Sequence, residues 1–358
     1  MVVAFTFYCI LTACAGGENN SKDENYFILL KDKETISLNT YENSKIKEHK
    51  TFGISEKSIY ATDQKQRVII LDTAKNLIDL YDIQTSKEMK LSIPYNILPK
   101  SILINNDNLF IGGIFGRGIT DEFCRVMLIQ YQIQSGKWYQ LEIPKEIYNY
   151  WGKAIDDLAV NDSLLIAIDN EVLPKYVLFY RLNATDKLVF SHFKELKNNG
   201  ANEDIRQCRI TPEYFGLMSY AITLRGNCEY IAIYNDLDLK NCFAISIEEA
   251  WQNQQPAIND FLLTGNKLIF AHKEKGLGVL EIKDSCFKIK PPEYYVDGHP
   301  FYEDDLTIKV DTDKINYIPF KNEEIIHLTL IPDDTKIILT IRNAHGEIRN
   351  EINEFNDK

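Results

Sequence analysis

The sequence has no Cys-x-x-Cys, no His-Glu-x-x-His and no Gly-x-Ser-x-Gly. The first absence excludes zinc ribbons and thioredoxin-like redox chemistry. The other two exclude the common metalloprotease helix and the hydrolase nucleophile elbow. Basic charge is also short. Against 52 acidic residues stand 40 basic ones, a net charge of −12. A nucleic-acid binder needs a basic patch to displace counterions, so that class is not expected. The apolar stretch from Val2 to Ala13 is too short to cross a bilayer as a helix.

What is present is aromatic and periodic. With 20 Tyr, 18 Phe and 45% hydrophobic residues, the chain suits strands and can bury a large core. One phrase returns through it. Copies are Leu-Tyr-Asp-Ile-Gln-Thr-Ser-Lys (80–87), Gln-Tyr-Gln-Ile-Gln-Ser-Gly-Lys (130–137), Phe-Tyr-Arg-Leu-Asn-Ala-Thr-Asp-Lys (179–187) and Ile-Tyr-Asn-Asp-Leu-Asp-Leu-Lys (233–240). Weaker copies centre on Leu280 and Leu330. The anchors at 81, 131, 180, 234, 280 and 330 are spaced by 50, 49, 54, 46 and 50 residues. Strand-built units at a period of about fifty are the signature of a β-propeller. The fold class is therefore all-β, a propeller of about seven four-stranded blades, with six as the alternative.

Each unit supplies short apolar runs between Gly, Asn, Asp and Ser turns, as antiparallel meanders require. In the last unit these runs are Ile315–Phe320, Ile325–Leu330 and Lys336–Ile341. A weaker run comes first in several units and should line the central channel: Ser101–Ile104, Ile155–Val160, Ile258–Leu262 and Leu306–Val310. Lys87, Lys137, Lys187, Lys240 and Lys336 follow the turns and should blunt exposed outer edges. The stretch 25–51 offers strands for a seventh blade, and the tail His345–Phe355 should supply its missing strand and close the ring. In the six-bladed alternative the N-terminal stretch completes the last blade. Ser246-Ile247-Glu248-Glu249 is a capping box, and it predicts a short helix to about Gln254 before Pro256. Trp138, Trp151 and Trp251 are expected to pack in the core.

Val2 to Ala13, then Cys14, then the polar stretch to Glu24 has the layout of a secretory signal and tether. Leu11-Thr12-Ala13-Cys14 resembles the lipobox of bacterial lipoproteins. The resemblance implies cleavage before Cys14 and its acylation, which anchors a protein by burying methylenes in lipid. The expected organisation is signal peptide 1–14, flexible tether 15–24 and one propeller domain 25–355. Of seven cysteines, losing Cys9 and acylating Cys14 leaves five, an odd number. Most are read as small buried apolar residues.

Three groups are candidates for ligand contact. The first is Gly112-Gly113-Ile114-Phe115-Gly116-Arg117-Gly118, read as a long loop carrying Arg117. It lacks the Gly-Lys-Ser/Thr of a phosphate-binding loop. The second is Asp297 to Asp305, with His299, Asp304 and Asp305. Consecutive side chains on an extended loop do not converge, so a solvated acidic loop is the plainer reading. The third is Asp156 and Asp157 on a channel-lining strand, where one should face inward. Its two readings are orientation of a ligand and a capped structural hydrogen bond. The six histidines show no metal spacing, so neither a metal nor a cofactor is expected.

The repeat over about 25–355, with the lipobox, resembles the bacterial lipid-anchored β-propellers of the WD40-like and TolB-like group. The resemblance implies a cell-envelope location, periplasmic or surface-exposed, with the membrane reached only through the lipid. It also implies a scaffold that binds another protein or an extended ligand. The alternative is an envelope enzyme acting on a carbohydrate or small molecule at the channel mouth.

Overall fold

The recurring phrase works as a turn. In the computed structural model, Ser86 and Gly136 occupy matching positions before the Lys, with φ of 55° and 65°. Left-handed backbone there lets the chain reverse, and glycine adopts it without a Cβ clash. In the first copy Asp82 holds the turn, its Oδ1 accepting from Thr85 N at 2.8 Å and Thr85 Oγ1 at 2.7 Å. In the second, Gly136 N donates to the Gln132 carbonyl at 2.9 Å.

The structure describes residues 26–115, 125–148, 154–161, 164–169, 175–182, 188–196, 203–223, 226–235, 242–249, 256–288, 295–296, 299–300, 315–331 and 336–354. They form a seven-bladed β-propeller of antiparallel meanders. Blade one is β1 (Tyr26–Leu30), β2 (Thr35–Glu42) and β3 (Lys45–Gly53). Blade two is β4 (Ser58–Thr62), β5 (Arg67–Asp72), β6 (Leu77–Asp82) and β7 (Lys87–Ser92). Blade three is β8 (Ile97–Asn105), β9 (Asn108–Phe115), β10 (Arg125–Gln132) and β11 (Lys137–Gln140). Blade four is β12 (Ile155–Val160), β13 (Leu164–Asp169), β14 (Lys175–Leu182) and β15 (Leu188–Leu196). Blade five is β16 (Glu203–Ile210), β17 (Phe215–Thr223), β18 (Gly226–Tyr234) and β19 (Cys242–Glu249). Blade six is β20 (Ile258–Thr264), β21 (Lys267–His272), β22 (Gly276–Glu281) and, after the small hairpin β23 (Tyr295–Val296) and β24 (His299–Pro300), β25 (Asn316–Ile318). Blade seven is β26 (Glu323–Leu330), β27 (Lys336–Asn343) and β28 (Ile348–Glu354).

The first strands lie side by side around the axis in the order β1, β4, β8, β12, β16, β20, β26 and back to β1. The runs at 101, 155 and 258 fall within β8, β12 and β20, so they do line the centre. The run Leu306–Val310 lies outside the described residues. Each seam between neighbouring blades has its own apolar cluster, seven in all. Trp138 packs in the seam between blades two and three, its ring 4.7 Å from that of Tyr131. Trp151 and Trp251 lie outside the described residues.

Four expectations are corrected. The tail does not complete blade one. Its strand β28 pairs with β27 from Lys336↔Glu354 to Arg342↔Ile348. A local hairpin closes a much shorter loop than a union of the two chain ends would, at less entropy. The ring closes instead by packing Phe27 and Leu29 against Ile331 and Ile338. Second, the anchor Leu330 ends an innermost strand, whereas the anchors from Tyr81 to Leu280 sit on third strands. The run at 315 accordingly forms the outer strand of blade six, and Lys336 begins a second strand, not an edge. There its Nζ lies 3.3 Å from Glu354 and 3.2 Å from Tyr41 Oη of blade one. Third, Ser246 to Glu249 extend β19 and form no helix. The ladder to β18 runs unbroken from Tyr234↔Cys242 to Asn227↔Glu249 and outweighs a local cap. Fourth, Gly112 and Gly113 belong to strand β9, paired on both sides. A Cβ at Gly112 would collide with Ile155 of the next blade, which explains the glycine. Among the described residues, blades one and seven show three strands each.

Among the described residues the closing seam is the smallest, with four buried apolar residues. We expect Phe27→Ala to cost about 3–5 kcal/mol, the usual range for emptying a buried aromatic site. Hydrogen exchange should then accelerate first in β1–β3 and β26–β28. Equal acceleration in all blades would contradict a weak closing seam.

Candidate functional site at the ring axis

Five of the innermost strands carry a β-bulge at one level. The register skips between Pro99 and Ser101, Ile155 and Asp157, Ile205 and Gln207, Ile258 and Asp260, and Ile325 and His327. A bulge leaves backbone groups outside the ladder and turns them aside. Here they are met by side chains of the neighbouring blade.

The pattern repeats around the ring. Asp157 accepts from its own neighbour Leu158 N at 2.9 Å and from Cys208 N of blade five at 2.5 Å. Asp260 does the same two blades on, with Phe261 N at 2.8 Å and Leu328 N of blade seven at 2.8 Å. In the opposite sense, the carbonyl before three of the bulges accepts from the preceding blade. Ile155 O takes Ser101 Oγ at 3.1 Å, Ile258 O takes Arg206 Nη1 at 2.6 Å, and Ile325 O takes Asn259 Nδ2 at 2.7 Å. Between blades five and six the acceptor is Glu229, which bonds Ala257 N at 2.6 Å, Ile258 N at 2.7 Å and Arg206 Nη1 at 2.8 Å.

The equivalent carboxylates differ in charge environment. Burial pushes the Asp157 carboxyl up, against the pull of Arg209 and the two N–H donors. Burial acts on Asp260 too, but His327, Arg209 and the Leu328 N–H outweigh it and bring the pKa to about 2. His327 Nδ1 lies 2.5 Å from Asp260 Oδ2, and Arg209 Nη2 lies 3.2 Å from Oδ1. Burial also raises Glu229, opposed by the Ile258 N–H and Arg206. Cys208 is a free, buried thiol pushed well up by burial and by Asp157. Tyr60 of β4 is raised by burial and by Asp260 across the ring.

Of the residues proposed from sequence, only the Asp156–Asp157 pair can be placed with its side chains. Asp156 is the bulge residue, and Asp157 is the capped structural acceptor. Cys14, Arg117, Asp304 and Asp305 lie outside the described residues. Of His299 only the backbone is described, paired with Val296. Sequence reading missed Arg206, Arg209, Glu229, Asn259, Asp260 and His327. A signal existed in Ile-Asp-Asp-Leu, Ile-Arg-Gln-Cys, Ile-Asn-Asp-Phe and Ile-Ile-His-Leu, beginning at 155, 205, 258 and 325. It was hidden because only the Ile and the final apolar position recur. Among the described residues no three metal-binding side chains cluster, and no helix is long and apolar enough to cross a membrane.

No protein-family model matches this chain, and no curated protein is similar to it in sequence. Its backbone is similar to solved propellers. A chain of Kuenenia stuttgartiensis hydrazine synthase superposes with a TM-score of 0.62 at 11% identity, covering 96% of this chain and 99% of that one. The β-propeller domain of Cps50 (Swd1) from Myceliophteria thermophila gives 0.55 at 11%, covering 93% and 94%. YCF48, solved bound to D1 peptide, gives 0.51 at 10%, covering 93% and 89%. At such identities the likeness establishes the fold alone.

Asp260→Asn removes one member of a buried charged cluster and should cost about 3 kcal/mol in urea denaturation at neutral pH. Asp157→Asn removes only an acceptor of N–H bonds and should cost about 1–2 kcal/mol. Because the folded pKa of Asp260 lies below its ordinary 3.8, its contribution is present above pH 3.8 and is lost as pH falls through about 2. The Asp260→Asn variant should therefore lose that part of the acid dependence, and an unchanged slope between those pH values would refute the assignment.

Proposed function

We propose that the chain is a lipid-anchored β-propeller of the bacterial envelope that serves as a scaffold for another protein or an extended ligand. One observation carries the scaffold reading. The carboxylates Asp157 and Asp260 on innermost strands, and Glu229 on the third strand of blade five, are engaged in holding blade to blade. They make a rigid frame, and rigid frames present loops for binding. YCF48, a propeller of similar backbone, was solved holding a peptide, which supports a peptide or protein partner here. The anchor rests on Leu11-Thr12-Ala13-Cys14 and the polar tether after it. The net charge of −12 speaks against nucleic acid as the partner. The second reading, an envelope enzyme acting on a carbohydrate or small molecule, draws on the Asp260–His327 contact at the channel wall.

Two measurements test these points separately. In bacterial cells fed a labelled fatty acid, the wild-type chain should carry the label and sediment with membranes. Cys14→Ser should abolish both, and an unlabelled wild type would refute the anchor. Crosslinking in intact cells, read by mass spectrometry, should join loop residues of this chain to one recurrent protein. A chain recovered without any recurrent partner would refute the scaffold and leave the enzyme reading.

A further inference from the structure

Beyond the scaffold, and independent of it, the ring axis holds an arrangement suited to an anion. Asp260 is 1% exposed, and both its oxygens are occupied. On one oxygen sits Arg209 of blade five, and on the other sits His327 of blade seven. A guanidinium and an imidazole from separate blades are thus fixed side by side on one carboxylate. Neither is buried with it. The side chains of Arg209 and His327 remain 29% and 39% exposed.

Both have polar atoms left over. Arg209 donates through Nη1 to Cys208 O at 2.9 Å and through Nη2 to Asp260. A guanidinium offers five N–H groups in a rigid fork, so part of the fork is unused among the described residues. His327 turns Nδ1 to Asp260 and leaves its second ring nitrogen without a partner among the described residues. The Arg209 guanidinium is further held over the Phe261 ring, 5.7 Å from its centre. Two side chains already immobilised lose little further freedom when a ligand arrives. Arg206, the other cation of this wall, is paired with Glu229 at 2.8 Å, as Arg209 is with Asp260 at 3.2 Å.

We propose that Arg209 and His327, held together on Asp260 at the wall of the central channel, bind an oxyanion, a carboxylate or a phosphoryl group. No bond is made or broken. The guanidinium supplies the fork, and the free imidazole nitrogen supplies a second direction, as a donor when the ring holds both protons and otherwise as an acceptor for an acid proton of the ligand.

The test is calorimetric titration of the full chain with succinate and with inorganic phosphate, with calcium chloride as the control of opposite sign. Saturable binding of either anion, and none of calcium, is expected. Succinate alone would assign a carboxylate, and phosphate alone a phosphoryl group. Arg209→Lys keeps a cation on Asp260 but loses the fork, and should weaken the anion by about tenfold with the melting temperature little changed. His327→Gln still donates to Asp260 and should weaken it similarly. No saturable binding of either anion by the wild type, or binding that survives both substitutions at full affinity, would overturn the proposal. Crosslinked partners bear only on the scaffold, so either idea can fail alone.

Discussion

A propeller has no ladder from blade to blade, so something else must hold the backbone of each innermost strand to the next. Here it is the bulge with its polar side chain. Asp157 and Asp260 each bind an N–H of their own strand and an N–H of the next blade. Ser101, Arg206 and Asn259 complete the traffic by donating to carbonyls of the following blade. Buried backbone groups must find partners. The bulge is what turns them toward the neighbour, and the short polar side chain is what reaches them. The apolar seams supply most of the burial, but they are tolerant of rotation. The hydrogen bonds fix the angle at which one blade meets the next.

The same logic explains how the ring ends. Among the described residues, blades one and seven are each built from one contiguous stretch of chain, and no strand crosses from one end of the sequence to the other. Closure depends on side-chain packing by Phe27, Leu29, Ile331 and Ile338, with Tyr41 and Lys336 touching at the rim. This makes the closing seam the point where the ring is most easily parted.

The central wall also divides its charge unevenly. Asp157 and Asp260 occupy equivalent places, yet burial dominates at one and cations dominate at the other. The difference is His327, which follows the bulge in blade seven. A position that elsewhere serves the frame therefore carries an exposed imidazole beside an exposed guanidinium. Structure and ligand recognition meet at one carboxylate, and the frame holds the donors in place.

By itself the sequence determined the repeat, the all-β class and most strand positions, and it left a ring of six or seven blades open. Each of these depends on local alternation and on turn residues such as Ser86 and Gly136, whose effect is felt within a few residues. The failures share a cause. Ser246 to Glu249 read locally as a cap, but the ladder to β18 is not local. Gly112 read as loop, but its partner in space is Ile155, in the next blade. Asp157 was legible as a capped acid on an inner strand, while its partner Cys208 was not. Asp260, Arg209 and His327 come from three blades and meet only because the ring is closed. A periodic pattern specifies blades. Which side chains converge at the axis is decided by the angle between blades, and that angle exists only in the assembled ring.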